Sequence, residues 1–231
     1  MVEVDCDGLT TRQINCAIRA ALDRDETVLV RNPRSRHNLG VGLCRPGRVI
    51  FDGNVGYYCA GMLMHADVEI RGNCGWSVGE CMMSGRIVVH GNASAAAGAA
   101  IRGGTLVVHG NAGPRTGISQ KGGTIVVGGN VGYMSGFIMQ KGLLVVCGGA
   151  GEALGDSLYE GRIYVGGRIA ELGNDAVPSE PTEDDLALLA DLLHRHGLPG
   201  APDPRRFTAV RSSRRLYNFD KADFELWRVA M

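Results

Sequence analysis

No excess of charge of either sign, no apolar run long enough to span a bilayer and no paired-cysteine motif occur in this sequence of 231 residues. With 24 basic against 24 acidic side chains, no overall field draws in nucleic acid or an anionic membrane, so neither is expected as a partner. The opening segment MVEVDCDG lacks the pattern of a signal peptide, and a cytoplasmic location is expected. The seven cysteines, at positions 6, 16, 44, 59, 74, 81 and 147, are odd in number and form no C-x-x-C pair. They read as reduced core residues rather than iron–sulfur ligands. A nucleophile elbow with Ser, His and Asp is missing, as is a G-x-G-x-x-G turn between a long strand and a helix. Cys6 is not at the mature amino terminus, as an amidotransferase nucleophile would be. The residues therefore assign no catalytic, cofactor-binding or metal-binding role within this chain.

What the sequence has in abundance is glycine, 35 residues, and their placement is periodic. Glycine returns every nineteen residues at Gly53, Gly72, Gly91, Gly110, Gly129, Gly148 and Gly167. A second follows three positions on, at Gly56, Gly75, Gly113, Gly132 and Gly151, with Ser94 the exception. A third comes four later, at Gly79, Gly98, Gly117, Gly136 and Gly155. Each G-x-x-G-x-x-x-G unit is followed by a short apolar strand, such as Ile87–Val89 or Ile125–Val127. A unit this short cannot bury an apolar face alone, so the units must stack. The predicted fold is all-β: a right-handed parallel β-helix of six to seven 19-residue coils spanning residues 38–172. Six coils at the strand spacing of about 4.8 Å span roughly 30 Å.

Stacking turns the sequence into columns. Val68, Ile87, Leu106, Ile125, Leu144 and Ile163 form one inward ladder, and Ile70, Val89, Val108, Val127, Val146 and Val165 the next. Asn54, Asn73, Asn92, Asn111 and Asn130 form a corner column, expected to tolerate left-handed backbone and to hydrogen-bond from coil to coil. Between the inward ladders, Val88, Val107, Val126 and Val145 should point outward, and an exposed valine ridge needs a cover. Either the helix expected at 182–196 lies along it, or it is an interface for another subunit. His90 and His109 share a column and could approach a common metal, but no carboxylate shares that column, and a structural role is expected. Tyr57, Tyr58, Trp76 and Tyr133 mark a second candidate surface.

The flanks read as caps. In segment 1–37, a helix over Thr11–Arg24, with Ile14, Ile18, Ala21 and Leu22 on one side, and a strand over Thr27–Val30 would close one end. In segment 173–231, Thr182 and Asp185 resemble a capping box opening a helix to His196, stopped by Gly197. Beyond it the chain is proline-rich, then basic at Arg205, Arg206, Arg211, Arg214 and Arg215, then aromatic at Tyr217, Phe219, Phe224 and Trp227. That tail is expected to lie either on another surface or on the solenoid wall.

The repeated G-x-x-G-x-x-x-G coils, the leading helix and the continuation past the last coil resemble the carboxy-terminal GXGXG β-helix domain of the large subunit of glutamate synthase. The resemblance covers roughly Asn38 to Leu172 with specific motifs. The chain lacks the glutaminase and synthase domains of that enzyme. It is thus similar to the free-standing β-helix subunit of three-subunit glutamate synthase-like enzymes, among them N-methylglutamate synthase (methylamine–glutamate N-methyltransferase). The resemblance implies a structural subunit without catalytic groups, docking a class II glutaminase-like subunit against an FMN-binding glutamate synthase-like subunit. FMN and the iron–sulfur cluster are then expected in a partner subunit. The motif also resembles the C subunit of formylmethanofuran dehydrogenase and of the related formyltransferase/hydrolase complex. The segments Thr11–Leu22 and Lys221–Arg228 look more like the glutamate synthase group. An independent sugar- or acyl-binding enzyme would need outward carboxylates in adjacent coils, whereas Asp67, Glu69, Glu80, Glu152, Asp156 and Glu160 are scattered.

Overall fold

The computed structural model describes residues 1–198 and 200–213. Eleven strands form one sheet in the order β1-β2-β3-β4-β5-β6-β7-β8-β9-β11-β10. Seven of them are the coils: β3 (Gly47–Asp52), β4 (Ala66–Ile70), β5 (Arg86–Val89), β6 (Thr105–Val108), β7 (Lys121–Val127), β8 (Lys141–Val146) and β9 (Arg162–Val165). Each pairs in parallel with the next, and the paired residues lie nineteen positions apart, as in Val49↔Val68, Val68↔Ile87 and Val107↔Val126. The protein is thus a parallel β-solenoid. The single irregularity in this run lies between β7 and β8, where Lys121 pairs with Lys141 before the register returns at Thr124↔Leu143. A second wall stacks through isolated parallel bridges, Val55↔Cys74↔Ala93↔Ala112↔Val131↔Ala150↔Ile169. Both inward ladders are buried, in a core that runs continuously from Val4 to Val210.

The corner between the walls explains the leading glycines. The side-chain carbonyl of Asn54 accepts the backbone N–H of Asn73 at 2.8 Å, and Asn73, Asn92 and Asn111 repeat the bond to the next coil. Asn130 closes the run on the N–H of Gly149 at 2.7 Å. A Cβ on Gly72, Gly91, Gly110, Gly129 or Gly148 would stand 2.4–2.5 Å from one of those amide oxygens, so only glycine fits beside the ladder. None of the five asparagines has a positive φ. Their expected left-handed backbone is therefore corrected: the column is selected by its hydrogen bond, not by turn conformation. Left-handed residues lie instead on the following segment, at Gly79, Gly98, Gly117, Gly136 and Gly155 and at non-glycine neighbours such as Ser77 and Cys81.

Helix α1 (Thr11–Leu22) opens with a capping box between Thr10 and Gln13 and buries Ile14, Ile18, Ala21 and Leu22 in the core beside β2 (Val28–Arg31) and β3. Asn15 ties it to the first coil, donating to Asn38 O and accepting from Gly40 N–H, both at 2.8 Å. An additional strand, β1 (Val2–Asp5), pairs in parallel with β2. At the other end the sheet is continued by a tail strand. β11 (Thr208–Ser212) pairs antiparallel with β9, and β10 (Ala176–Ser179) with β11. The described part of the tail, Arg205, Arg206 and Arg211 included, thus returns to the solenoid. Arg214, Arg215, Tyr217, Phe219, Phe224 and Trp227, and the segment Lys221–Arg228, lie outside the described residues.

Helix α2 (Glu183–His196) has the expected capping box, Thr182 with Asp185, and a left-handed Gly197 at its end. It does not cap the solenoid. Leu189, Leu192, Leu193 and the following Leu198 pack on Val88, Val107, Val126 and Val145 together with Tyr164 and Phe207. Val107, Val126 and Val145 are 0% exposed and Val88 is 6% exposed. Of the two expected covers for this ridge, the structure shows this chain's own helix, and the reading of the four valines as a subunit interface is corrected: they are already buried under its leucines. Asp185, itself buried, pins the start of α2. It accepts from Tyr164 Oη and Arg211 Nη2, both at 2.5 Å, with Arg162 at 3.6 Å. Burial pushes its carboxyl up, but these bonds and those of Thr182 outweigh it and hold the group below the usual aspartate value.

Two outcomes follow. Val107→Asp places an unpaired charge under α2 and lowers stability by about 4 kcal/mol or more, read as loss of the cooperative thermal transition rather than release of a partner. Gly110→Ala drives a methyl into Asn92 Oδ1 and costs about 2–3 kcal/mol, read as a fall in Tm with the circular dichroism of the folded state retained.

Candidate functional site

Where one end of α2 reaches the sheet, residues from β3, β4, β5 and α2, with His90 and His109 just past β5 and β6, form a polar cleft of about 300 Å3. Arg48, Asp67, Glu69, Arg86, Val88, His90, His109 and His196 line it. His90 and His109 meet edge to face with ring centroids 4.9 Å apart, as their common column requires. Glu69 stands in the cleft, 3.4 Å from His90 Nε2, and is held by Arg48 at 2.6 Å and Arg71 at 3.2 Å. Burial raises the Glu69 carboxyl, but these two guanidinium bonds prevail and keep it below the ordinary glutamate value.

His196, which sequence reasoning did not associate with this site, comes from the last turn of α2, and its Nδ1 is buried without a hydrogen-bond partner. No sequence signal marks it, because its place depends on α2 lying across the sheet. Burial, then the neighbouring His90 and Arg86, depress the His109 imidazole. Burial, then Arg86 and Arg195, depress His196, with His109 adding to the effect and Asp191 opposing it. Among the described residues no group of three or more His, Cys, Asp or Glu is arranged to hold a metal ion. Burial and the nearby guanidinium groups thus disfavour the charged form of His109 and His196 at this junction.

The cysteines divide by position. Cys6, Cys59, Cys74 and Cys147 are buried, but Cys16 and Cys44 are exposed and Cys81 is half-buried, which corrects the expectation that all seven lie in the core. All are free thiols, and burial pushes Cys74 up to about 12 and Cys147 to about 11, so neither is a thiolate at neutral pH.

The second candidate surface is the turn segment that follows each paired glycine. Tyr57, Trp76, Ala95, Pro114 and Tyr133 share one column; Trp76 is 66% exposed, Tyr133 49% and Tyr57 46%. A parallel column carries Met62, Cys81, Ala100, Ser119 and Ile138, with Met62 48% exposed. Tyr58, by contrast, is half-buried. Beside Tyr57 and Trp76 opens a cleft of about 570 Å3, lined also by Ser35, His37, Asn54 and Asn73. The Tyr57 ring is fixed by stacking on His37, with centroids 3.9 Å apart and planes at 26°. His37 Nδ1 accepts the Tyr57 backbone N–H at 3.2 Å, and no Asp, Glu, Lys or Arg lines the cleft. Within turn segments 56–64, 75–83, 94–101, 113–120 and 132–140 only Glu80 and Arg115 are charged, and the next, 151–159, carries Glu152 and Asp156. Tyr57, Trp76, Met62 and Tyr133 thus form an exposed aromatic and apolar patch.

No protein-family model and no curated protein matches this chain. Among the described residues no helix is long and apolar enough to cross a membrane.

The histidine junction makes stability depend on pH. The folded pKa values of His109 and His196 lie below the unfolded value, so the unfolded chain takes up protons first as pH falls. Stability is full above about pH 7 and declines as pH drops through the ordinary histidine value of about 6.5 towards the folded values. Glu69 and Asp185, also depressed, add their loss only at lower pH. In urea titrations, the variant His109→Gln/His196→Gln should flatten the dependence between pH 7 and 5 and leave the acid limb in place.

Proposed function

We propose that this chain is a structural subunit of a multi-subunit glutamate synthase-like enzyme, N-methylglutamate synthase or a glutamate synthase, working in the cytoplasm. In this reading the GXGXG coils wind as a right-handed β-helix and dock a class II glutaminase-like subunit against an FMN-binding synthase subunit. FMN and the iron–sulfur cluster reside in that partner. The subunit contributes positioning: it fixes the separation of two active sites so that ammonia or methylamine released at one reaches the other without loss to solvent.

The observation that supports the reading is the uninterrupted 19-residue register carried by seven strands and sealed by the asparagine seam. Such a stack is a stiff spacer, because each coil is hydrogen-bonded to both neighbours and has no hinge. The exposed Tyr57, Trp76 and Tyr133 of the turn face add a surface suited to assembly rather than to solvent. Purification of the chain from its native host, with mass spectrometry and an absorbance scan, tests the reading. Co-elution of a glutaminase-like polypeptide and a yellow flavoprotein is expected. A molybdenum or tungsten protein, or an amidohydrolase-like partner, overturns it in favour of formyl transfer, and a colourless chain without either partner removes it.

A further inference from the structure

Where β7 meets β8 the nineteen-residue period slips by one. A strict period would set Lys121 opposite Gln140, but the pair formed is Lys121↔Lys141, and the register returns only at Thr124↔Leu143. The extra residue lies in β7, in a bulge at Gly122 and Gly123, where Gly123 takes a φ of 67°. A bulge re-aims the side chain beside it. This one sets two lysines opposite one another on adjacent strands, an arrangement that like-charge repulsion disfavours.

Both lysines line a cleft of about 460 Å3 on this edge of the sheet, with Arg102 from the coil before and Arg162 from the coil after. Hydrogen bonds carry the stack through it: the N–H groups of Lys121, Lys141 and Glu160 donate to Ile101 O, Gln120 O and Gln140 O at 2.8, 3.2 and 3.0 Å. The cations therefore stand on successive coils, within roughly 14 Å at about 4.8 Å per coil. Elsewhere along the sheet edge a cation meets a carboxylate of the neighbouring coil, Arg48 on Glu69, Arg71 on Asp52 and Arg86 on Asp67. Here, among the described residues, Arg102, Lys121 and Lys141 have no ion pair, and Glu160 is the one carboxylate lining the cleft. Arg162 reaches Asp185 only at 3.6 Å, and that carboxylate is already bonded to Tyr164 and Arg211. The backbone is arranged in the same sense. Buried Gln120 donates from Nε2 to the carbonyls of Gly122, Gly123 and Leu143 at 3.0, 3.2 and 3.1 Å, so oxygens that would repel an anion are engaged from the core side.

We infer that this cleft binds a compact oligophosphate anion of the size of pyrophosphate. Cations arriving from successive coils need acceptors on every side, which tetrahedral phosphate supplies and a planar carboxylate does not. Lysine serves phosphate as a point charge and arginine as a fork. Two phosphates, at about −1.5 to −2 charges each near neutral pH, offset the excess of cations over the single Glu160. Among the described residues Leu143 is the only apolar side chain of the cleft beside its glycines, and no aromatic ring lines it, so the ligand is held by charge and not by stacking. The site does not rest on the glutamate synthase-like reading.

Calorimetric titration of the full-length chain with sodium pyrophosphate, with thermal melts alongside, is the test. Saturable binding and a raised Tm are expected. Lys121→Gln and Lys141→Gln should each weaken binding about tenfold or more, and Glu160→Gln should strengthen it. Because each lysine substitution removes a like-charge contact, the ligand-free variants should melt no lower than the parent, which separates a lost site from a lost fold. No binding at millimolar pyrophosphate overturns the inference. So does binding that both lysine variants retain in full, citrate bound as tightly as pyrophosphate, or a ligand-free lysine variant that melts below the parent. An equal rise in Tm with sodium sulfate at matched ionic strength is screening of charge rather than a site, and overturns it too.

Discussion

Every coil of this protein depends on the coil beside it. A nineteen-residue turn of chain, with one short strand on one wall and a single bridge on the other, cannot satisfy its own backbone groups or enclose its own side chains. Both needs are met by exact translation of the next coil onto it, which turns Val68, Ile87, Leu106 and their successors into a continuous ladder. The asparagine seam and the glycines beside it serve that translation: the amide oxygen of one coil takes the N–H of the next, and a side chain at the glycine would occupy the space of that oxygen. Gln120 shows how the stack accommodates an exception. It is buried in a column otherwise filled by Leu63, Met82, Ile101, Met139 and Leu158, and its Nε2 donates to the carbonyls of Gly122, Gly123 and Leu143 where the register slips.

A stack of this kind has two open ends and several faces, and the flanks deal with them differently. At the amino-terminal end, β1 and β2 continue the parallel sheet while α1 supplies apolar side chains to the core. At the carboxy-terminal end, the chain comes back as β11, which reverses direction against β9 and hands the exposed edge to the short β10. Helix α2 is spent on a side of the solenoid, where the Asp185 cluster and the histidine junction hold its two ends. Among the described residues the turn face keeps Tyr57, Trp76 and Tyr133 exposed, held in fixed positions by the stack.

Much of this was legible in the sequence because a strict period converts one dimension into two. Once Gly53 and its successors are aligned, the inward ladders, the asparagine column and the Tyr57–Trp76–Tyr133 surface can be read without coordinates. Helix α2 was announced by its capping box, Thr182 with Asp185, and α1 by the apolar spacing of Ile14, Ile18, Ala21 and Leu22; the Thr10–Gln13 box of α1 came only with the structure. Outside the period the signal fails. β1 and β10 are four residues long, with no repeat to align them, and β11 takes its partner from a strand more than forty residues away. The cysteines were misread in part because Cys16 and Cys44 lie outside the aligned columns.

The sequence by itself determined the solenoid: its coil, its ladders and the positions at which only glycine fits follow from local spacing and from one translation repeated. Only the tertiary structure decided where the non-repeating segments go. A leucine-faced helix is compatible with an open end or with a valine ridge, and the choice depends on geometry no local pattern encodes. The buried Asp185, received by Tyr164 and Arg211, and the meeting of His196 with His90 and His109 exist only once α2 lies across the coils.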